Sequence, residues 1–198
     1  MNRPVAHRGR CQSRALMARA TIALFAAALL LAAPVESQSI DSASEQSIKA
    51  AYLYKFADYV EWPEGVLGEP AAPMTFGVVG DDSLADLLRE MTRERAVHGR
   101  PINVRSIKAD EPLDGVHVLF VGSSATNELI GLTTAAREES ALVITEAGDG
   151  LARGSVINFR EVDRRIRFEV SLDSADRSHL KLSARLLAVA EHVEPRTQ

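Results

Sequence analysis

The chain has 198 residues, with 23 basic side chains, 27 acidic side chains and a single cysteine, Cys11. This length is typical of one domain and is enough to bury a sizeable core. The acidic balance argues against a nucleic-acid partner, because phosphates attract a basic patch and the sequence contains none that stands out.

The N-terminus predicts a signal peptide over residues 1–37. Arginines precede an apolar run at residues 20–33, which is too short for a comfortable membrane span. Val35 and Ser37 suit the −3 and −1 positions of a cleavage site, so we expect cleavage after Ser37, with Met1 or Met17 as the start. The alternative is an uncleaved N-terminal anchor. A cleaved signal of this kind predicts a periplasmic protein.

Cleavage would change both the charge and the chemistry of the chain. The signal peptide holds five arginines and one acid, so its removal leaves 18 basic and 26 acidic residues, a net charge of −8. Cys11 would be removed as well. The exported chain would then have no thiol, which excludes a disulfide, a cysteine metal site and a thiolate nucleophile.

After the signal peptide, the sequence predicts a polar tether at residues 38–44 and one domain at residues 45–193. Ser42 and Glu45 fit a capping box, so the first helix is expected to begin there and to end before Pro63. Apolar side chains spaced by four and three residues predict its buried face, namely Ile48, Tyr52, Phe56 and Tyr59.

Strands and helices then alternate, which predicts a single Rossmann-like α/β domain with a mostly parallel central sheet flanked by helices. Asp81 or Asp82 is the expected cap of the first of these flanking helices. We expect strands at residues 74–79, 102–107, 116–121 and 141–145, and helices at residues 83–92 and 125–138.

The C-terminal part predicts a β-hairpin and a final helix. The hairpin strands are expected at residues 156–159 and 166–172, because apolar and polar residues alternate there around a turn at residues 163–165. The final helix is expected to be capped by Asp173 or Ser174 and to end near Ala190.

Two glycine turns could carry chemistry. Gly80 and Gly122 each follow a strand and open a helix, where backbone N–H groups can hold a phosphate. Neither turn matches a known phosphate-binding motif, so an ordinary turn is the stronger interpretation and a small-molecule site is the alternative. Ser123 and Ser124 lack the glycine pattern of a nucleophile elbow, so a hydrolase is disfavoured.

The histidines do not have the spacing of a metal site. They are scattered over the exported chain, at His98, His117, His179 and His192. His117 lies in an apolar strand and is predicted to be a hydrogen-bonded core residue. The sequence therefore predicts no catalytic residue, no metal and no cofactor.

Aromatic residues are concentrated near the end of the first helix. Tyr54 and Trp62 lie off its predicted apolar face. Exposed aromatic side chains are good interface anchors, so these two residues are candidates for partner binding, with core packing as the alternative.

Two long motifs resemble the opening and closing signatures of the YfiR-like family of periplasmic regulators. The opening motif is KAAYLYKF at residues 49–56 with YVEWP at residues 59–63, and the closing motif is GSVINF at residues 154–159 with IRFEVSLD at residues 166–173. The resemblance covers roughly residues 46–190. Its signature residues are Tyr52, Phe56, Tyr59, Trp62, Pro63, Asn158, Phe159, Phe168, Leu172 and Asp173.

The resemblance implies regulation without catalysis. Members that resemble this chain are dimers with a Rossmann-like sheet. The member for which the family is named is exported and represses a membrane diguanylate cyclase by binding its periplasmic sensor region, which lowers cyclic di-GMP, and an outer-membrane lipoprotein can draw it away. Many members have no known partner. Val116 and Asn158 stand where relatives can have cysteine, so redox control does not carry over. An accessory role for a sensor kinase or an outer-membrane receptor system is the alternative.

The resemblance also implies where a partner would bind, namely the hairpin and the start of the final helix, residues 168–177. Glu169 and Leu172 belong to this stretch. Arg177 is predicted in the first turn of the final helix, where a cation is unfavourable to the helix dipole, so a partner contact would explain it. The alternative is that these charges merely solvate a hairpin.

Overall fold

The structure, a computed structural model, describes residues 37–196, with side chains from residue 43 onward. The predicted signal peptide lies outside the described residues, apart from Ser37, and so does Cys11. Within residues 37–196, no helix is both long and apolar enough to cross a membrane.

Helix α1 spans Ser37–Asp58. The predicted start at Ser42 is therefore wrong, and residues 38–44, expected as a polar tether, lie within the helix. Ile48 is also not on the buried face, since 42% of its surface is exposed. The face that packs on the sheet contains Ala50, Leu53, Phe56 and Ala57. The two alanines allow close approach of the helix, which sets its rotation.

Ten strands follow the helix in chain order. They are β1 (Val60–Glu61), β2 (Met74–Val79), β3 (Ala96–Val97), β4 (Arg100–Ser106), β5 (Val118–Val121), β6 (Leu142–Thr145), β7 (Ile157–Val162), β8 (Arg165–Ser171), β9 (Lys181–Leu182) and β10 (His192–Glu194). The further helices are α2 (Asp82–Thr92), α3 (Leu129–Glu138), α4 (Leu172–Arg177) and α5 (Ala184–Leu187), with 3₁₀ turns at Ser123–Glu128 and Leu151–Arg153.

Eight of the strands form one sheet in the order β10-β8-β7-β6-β5-β2-β4-β3. The pairs β4–β2, β2–β5, β5–β6, β6–β7 and β10–β8 are parallel, whereas β3–β4 and β7–β8 are antiparallel. This confirms the predicted α/β class with a mostly parallel sheet flanked by helices. Strands β1 and β9 pair separately as a small second sheet.

The core has two hydrophobic layers, one on each face of the sheet. Residues of α1 and α2 belong to the layer that contains Phe56 and Phe120. Residues of α3 belong to the other layer, which contains Leu129 and Val143. Because both faces of β5 and β6 are covered, these strands are buried throughout and read as continuous apolar runs.

The predicted C-terminal hairpin is confirmed, with a longer first strand than expected. Asp163 and Arg164 form a two-residue turn, and both have positive φ, 51° and 58°. This is the backbone of a type I′ turn, whose twist matches that of the two strands.

The prediction of a single final helix is wrong. Helix α4 begins at Leu172, where the Ser171 hydroxyl accepts the Ser174 N–H, so Ser171 is the cap. The helix ends because His179 adopts a left-handed conformation (φ 58°) and the Leu180 N–H donates to the Ala175 carbonyl. This arrangement is a Schellman motif. It was not predicted from the sequence because His179 stands at the position that is usually glycine.

His117 is buried and hydrogen-bonded, as predicted. The Thr75 N–H donates to its Nδ1 at 2.9 Å, so the ring proton is on Nε2, which donates to the Val66 carbonyl at 3.3 Å. Burial lowers the pKa of His117. Protonation would also direct an N–H at the Thr75 N–H, so the fold requires the neutral ring.

We therefore expect the free energy of unfolding to fall as the pH drops below about 6.5, the ordinary pKa of histidine. In that range the unfolded chain takes up a proton at His117 that the folded chain takes up only at lower pH. His117→Asn should lessen this decline, because Oδ1 still accepts the Thr75 N–H but does not titrate. Urea unfolding at several pH values measures the effect. His192→Gln, on an exposed histidine, is the control and should leave the decline unchanged.

Candidate functional site

The sheet has one position where its fold class normally binds ligands. Strand β2 has β4 on one side and β5 on the other, so the strand order reverses beside β2. In open α/β sheets, ligands occupy the crevice outside the carboxyl ends of the strands at such a point. Gly80 and Gly122, the two turns singled out from the sequence, are brought together there.

The two turns pack against each other in this crevice. The Ser124 hydroxyl donates to the Gly80 carbonyl at 2.6 Å. Gly80 has φ +78°, and a Cβ on it would lie 2.6 Å from the Ser124 Oγ. A Cβ on Gly122 would lie 3.0 Å from the Gly80 oxygen. Both glycines are therefore explained by the close packing of the turns.

The backbone N–H group that follows β5 is hydrogen-bonded to a carboxylate of the chain itself. The Ser123 N–H donates to Oε1 of Glu146, at 2.8 Å. The other oxygen of Glu146 lies 2.5 Å from Nζ of Lys49, which also lies 2.6 Å from Glu45. Burial alone would lower the pKa of Lys49, but the hydrogen bonds to Glu146 and Glu45 outweigh it, and the pKa is raised. The ion pair of Lys49 with Glu146 thus ties helix α1 to the carboxyl edge of the sheet.

These polar contacts were not predicted from the sequence. Glu45 and Lys49 have the i, i+4 spacing of a helical ion pair, which could have indicated their contact. Nothing in the sequence indicates the contact with Glu146, because it lies 97 residues from Lys49.

The hydrogen bonds of Ser123 and Ser124 are relevant to the hydrolase alternative. The Ser124 hydroxyl donates to a carbonyl, and no hydrogen bond joins Ser123 or Ser124 to a histidine in the part of the chain that the structure describes. Within those residues, no three His, Cys, Asp or Glu side chains cluster in a way that could hold a metal ion. An open cleft of about 450 Å³ remains at this edge, and its lining includes Gly80 and Ser124 of the two turns together with Val79 and Ile107. A small-molecule site in it stays a prediction.

Four aromatic signature residues form one cluster. The Phe56 ring lies 4.7 Å from Phe168 and 5.8 Å from Phe159, and Tyr52 lies 5.4 Å from Phe56, between ring centroids. The opening and closing motifs therefore meet in the core, through α1 on one side and the hairpin on the other.

The signature residue Asn158 is fully buried and holds a loop. Its Oδ1 accepts the Thr145 hydroxyl at 2.6 Å, and its Nδ2 donates to the Ala147 carbonyl and to Glu169, each at 2.9 Å. A Cβ on Gly150 would lie 2.5 Å from the Asn158 Oδ1. Asn158 therefore positions the loop after β6.

The predicted partner residues fall into two groups. Tyr54 and Trp62 are half-buried beside the β3–β4 hairpin. The Lys55 and Arg95 cations each lie 5.3 Å from the centre of the Tyr54 ring, and the Trp62 ring lies 6.3 Å from the His98 ring. The indole Nε1 is buried without a hydrogen bond to the described residues.

Glu169, Leu172 and Arg177 form the second group, on β8 and α4. Glu169 is largely engaged within the protein, since it binds Asn158 and lies 3.6 Å from Arg160. Leu172 is half-buried. The prediction that Arg177 lies in a first helical turn is wrong. It lies in the last turn of α4, where a cation is favourable to the dipole, and it pairs with Asp173.

Comparisons with known proteins agree with this architecture. The sequence profile described as YfiR/HmsC-like matches residues 46–191. No curated protein sequence matches the chain. Among solved structures, the fold is similar to that of a conserved domain protein from Vibrio cholerae O1 biovar eltor, at 13% identity and a TM-score of 0.55. That match covers 75% of this chain and 60% of the Vibrio protein.

The Asn158 network predicts a structural role for this signature residue. Asn158→Ala should lower the free energy of unfolding by about 2–4 kcal/mol, because it removes three hydrogen bonds of a buried side chain, to the Thr145 hydroxyl, the Ala147 carbonyl and Glu169. Denaturant unfolding at neutral pH measures the change. Asn103→Ala, on an exposed asparagine of β4, is the control and should cost less than about 1 kcal/mol. Equal costs for the two variants would refute this role.

Proposed function

Because this chain belongs to the YfiR/HmsC-like family, we propose that it is an exported regulator that binds and represses a membrane signalling protein. The partner that we propose is the periplasmic sensor region of a diguanylate cyclase, so that binding lowers cytoplasmic cyclic di-GMP. We further propose that the protein acts as a homodimer and that an outer-membrane lipoprotein releases the repression. The family match over residues 46–191 carries the proposal.

The geometry of the carboxyl edge supports a binding role over a catalytic one. In an α/β enzyme, the backbone donors at the strand ends hold the substrate. Here Glu146 accepts the Ser123 N–H and the Gly80 carbonyl accepts the Ser124 hydroxyl. The polar groups that would bind a substrate in such an enzyme are therefore hydrogen-bonded within the protein.

Two surfaces remain as proposed contacts with the partner. One contains Tyr54 and Trp62, beside the β3–β4 hairpin. The other contains Leu172 and Arg177 on α4, with Glu169 of β8 beside them. Arg177 is the best of these residues to test, because its side chain is 55% exposed and its ion pair with Asp173 contributes less than about 1 kcal/mol.

Deletion of the gene should raise cellular cyclic di-GMP, because the cyclase would lose its repressor. Mass spectrometry of nucleotide extracts from the wild-type and deletion strains measures the change, and expression of the wild-type gene in trans should reverse it. The wild-type strain must first be shown to export the protein. An unchanged level of cyclic di-GMP in the deletion strain would then contradict the proposed function.

Complementation of the same strain tests the α4 surface. Arg177→Glu should restore repression less well than the wild type at equal protein level. Arg93→Glu is the matched control, since Arg93 is also an exposed helical arginine paired with a nearby acid, Glu90. Full repression by both variants would show that Arg177 is not a contact, without affecting the proposed function itself.

A further inference from the structure

One face of the β7–β8 hairpin carries three arginines. The strands pair so that Arg160 lies opposite Arg167 and Val162 lies opposite Arg165. Because side chains alternate along a strand, these four residues point to the same side of the sheet. The opposite side carries Phe159 and Phe168, which pack on α1. We call Arg160, Val162, Arg165 and Arg167 the arginine face.

The arginine face is exposed. Arg160 and Arg167 have 48% and 44% of their side-chain surface exposed, and Val162 is 37% exposed. The other layer of the core, which includes residues of α3, contains buried residues of β2, β5 and β6 but none of β7 or β8. The exposure of these side chains shows that this end of the hairpin is open to solvent, whereas Asn158, on the same side, is covered by the loop after β6.

Two acids neutralise part of the charge of the face. Arg160 lies 3.6 Å from Glu169, a carboxylate that also accepts a hydrogen bond from Asn158, and it donates to the Gly148 carbonyl at 3.3 Å. Arg167 reaches Glu191 at 3.9 Å. Arg165 has no ion pair with the described residues. The chain as a whole is acidic, so a patch that keeps three cations is an exception to its charge pattern.

The placement of Arg160 opposite Arg167 does not serve the hairpin. Like charges directly across an antiparallel pair are destabilising, whereas the I′ turn and the buried aromatic side chains already fix the register. Glu169 and Glu191 offset part of this repulsion, and an acidic ligand would remove more of it.

We infer that the arginine face binds an acidic segment of a partner protein. Guanidinium groups hold carboxylates through paired hydrogen bonds, and three of them around Val162 suit a chain of acidic side chains with an apolar residue among them. The inference rests on the proposed function, because it names the chemistry of the partner beside the α4 surface. It places the contact on Arg160, Arg165 and Arg167.

The test uses the protein purified as the cell processes it and a fluorescein-labelled deca-glutamate peptide as the probe. Fluorescence anisotropy should show binding that weakens with added salt. Arg160→Gln with Arg167→Gln should weaken binding at least tenfold, while the melting temperature stays equal or rises because the repulsion is gone.

Arg89→Gln with Arg93→Gln is the matched control, since each of those exposed arginines also pairs with one acid. This double variant should bind the peptide as the wild type does. Arg165→Gln is a second probe of the face and should weaken binding without lowering the melting temperature.

Several results would overturn the inference. They are no binding of the peptide by the wild type, equal losses in the two double variants, or a marked fall in the melting temperature of the Arg160 and Arg167 variant together with unchanged binding by Arg165→Gln. Binding to phosphatidylglycerol vesicles but not to the peptide would assign the face to lipid and would likewise overturn it.

Complementation separates this inference from the proposed function. If deletion of the gene raises cyclic di-GMP but the Arg160 and Arg167 variant still represses fully, the arginine face does not bind the partner and the proposed function stands. If deletion changes nothing, the proposed function fails, and the peptide measurements alone decide whether the face binds acidic chains.

Discussion

The contact between Phe56 and Phe168 is the interaction on which the rest of the structure depends. Their ring centroids lie 4.7 Å apart, and both side chains are almost fully buried. The contact joins α1, at the start of the domain, to the hairpin near its end. It fixes which face of the hairpin is buried, and the alternation of side chains then sends Arg160 and Arg167 to the other face.

The same helix determines what the carboxyl edge of the sheet can do. Once α1 is packed through Phe56, Lys49 lies where it reaches Glu146, and Glu146 in turn accepts the Ser123 N–H. The crevice that many α/β enzymes use for a substrate is thereby partly filled by the protein itself. The exposed chemistry of the domain lies instead at the hairpin and on α4. This distribution fits a protein that acts by binding.

Much of the fold could be predicted from the sequence, because it depends on local patterns. The buried parallel strands read as apolar runs, and the hairpin reads as alternation. The rotation of α1 could not be predicted from the aromatic spacing, since the buried face includes the small residues Ala50 and Ala57 and leaves Ile48 exposed. The break after α4 was also missed, because His179 adopts a conformation that the sequence usually marks with glycine.

The candidate sites were less predictable than the fold, because they depend on contacts between distant residues. The pairing of Arg160 with Arg167 requires the register of β7 and β8, and the burial of Asn158 requires the loop after β6. Arg177 was assigned the wrong end of its helix because the helix was expected to continue to Ala190, whereas α4 ends at Arg177. An error in the end of one helix reversed an electrostatic argument.

A double-mutant cycle on Phe56→Leu and Phe168→Leu tests the central claim most directly. Urea unfolding of the wild type, both single variants and the double variant gives the coupling free energy between the two rings. We expect about 0.5–1.5 kcal/mol, the range for aromatic pairs in contact. A cycle on Phe76→Leu and Phe168→Leu, whose strands are separated by three others in the sheet, should be additive. Additivity in the Phe56 cycle as well would contradict the account, because the two ends of the domain would then not be held together by this contact.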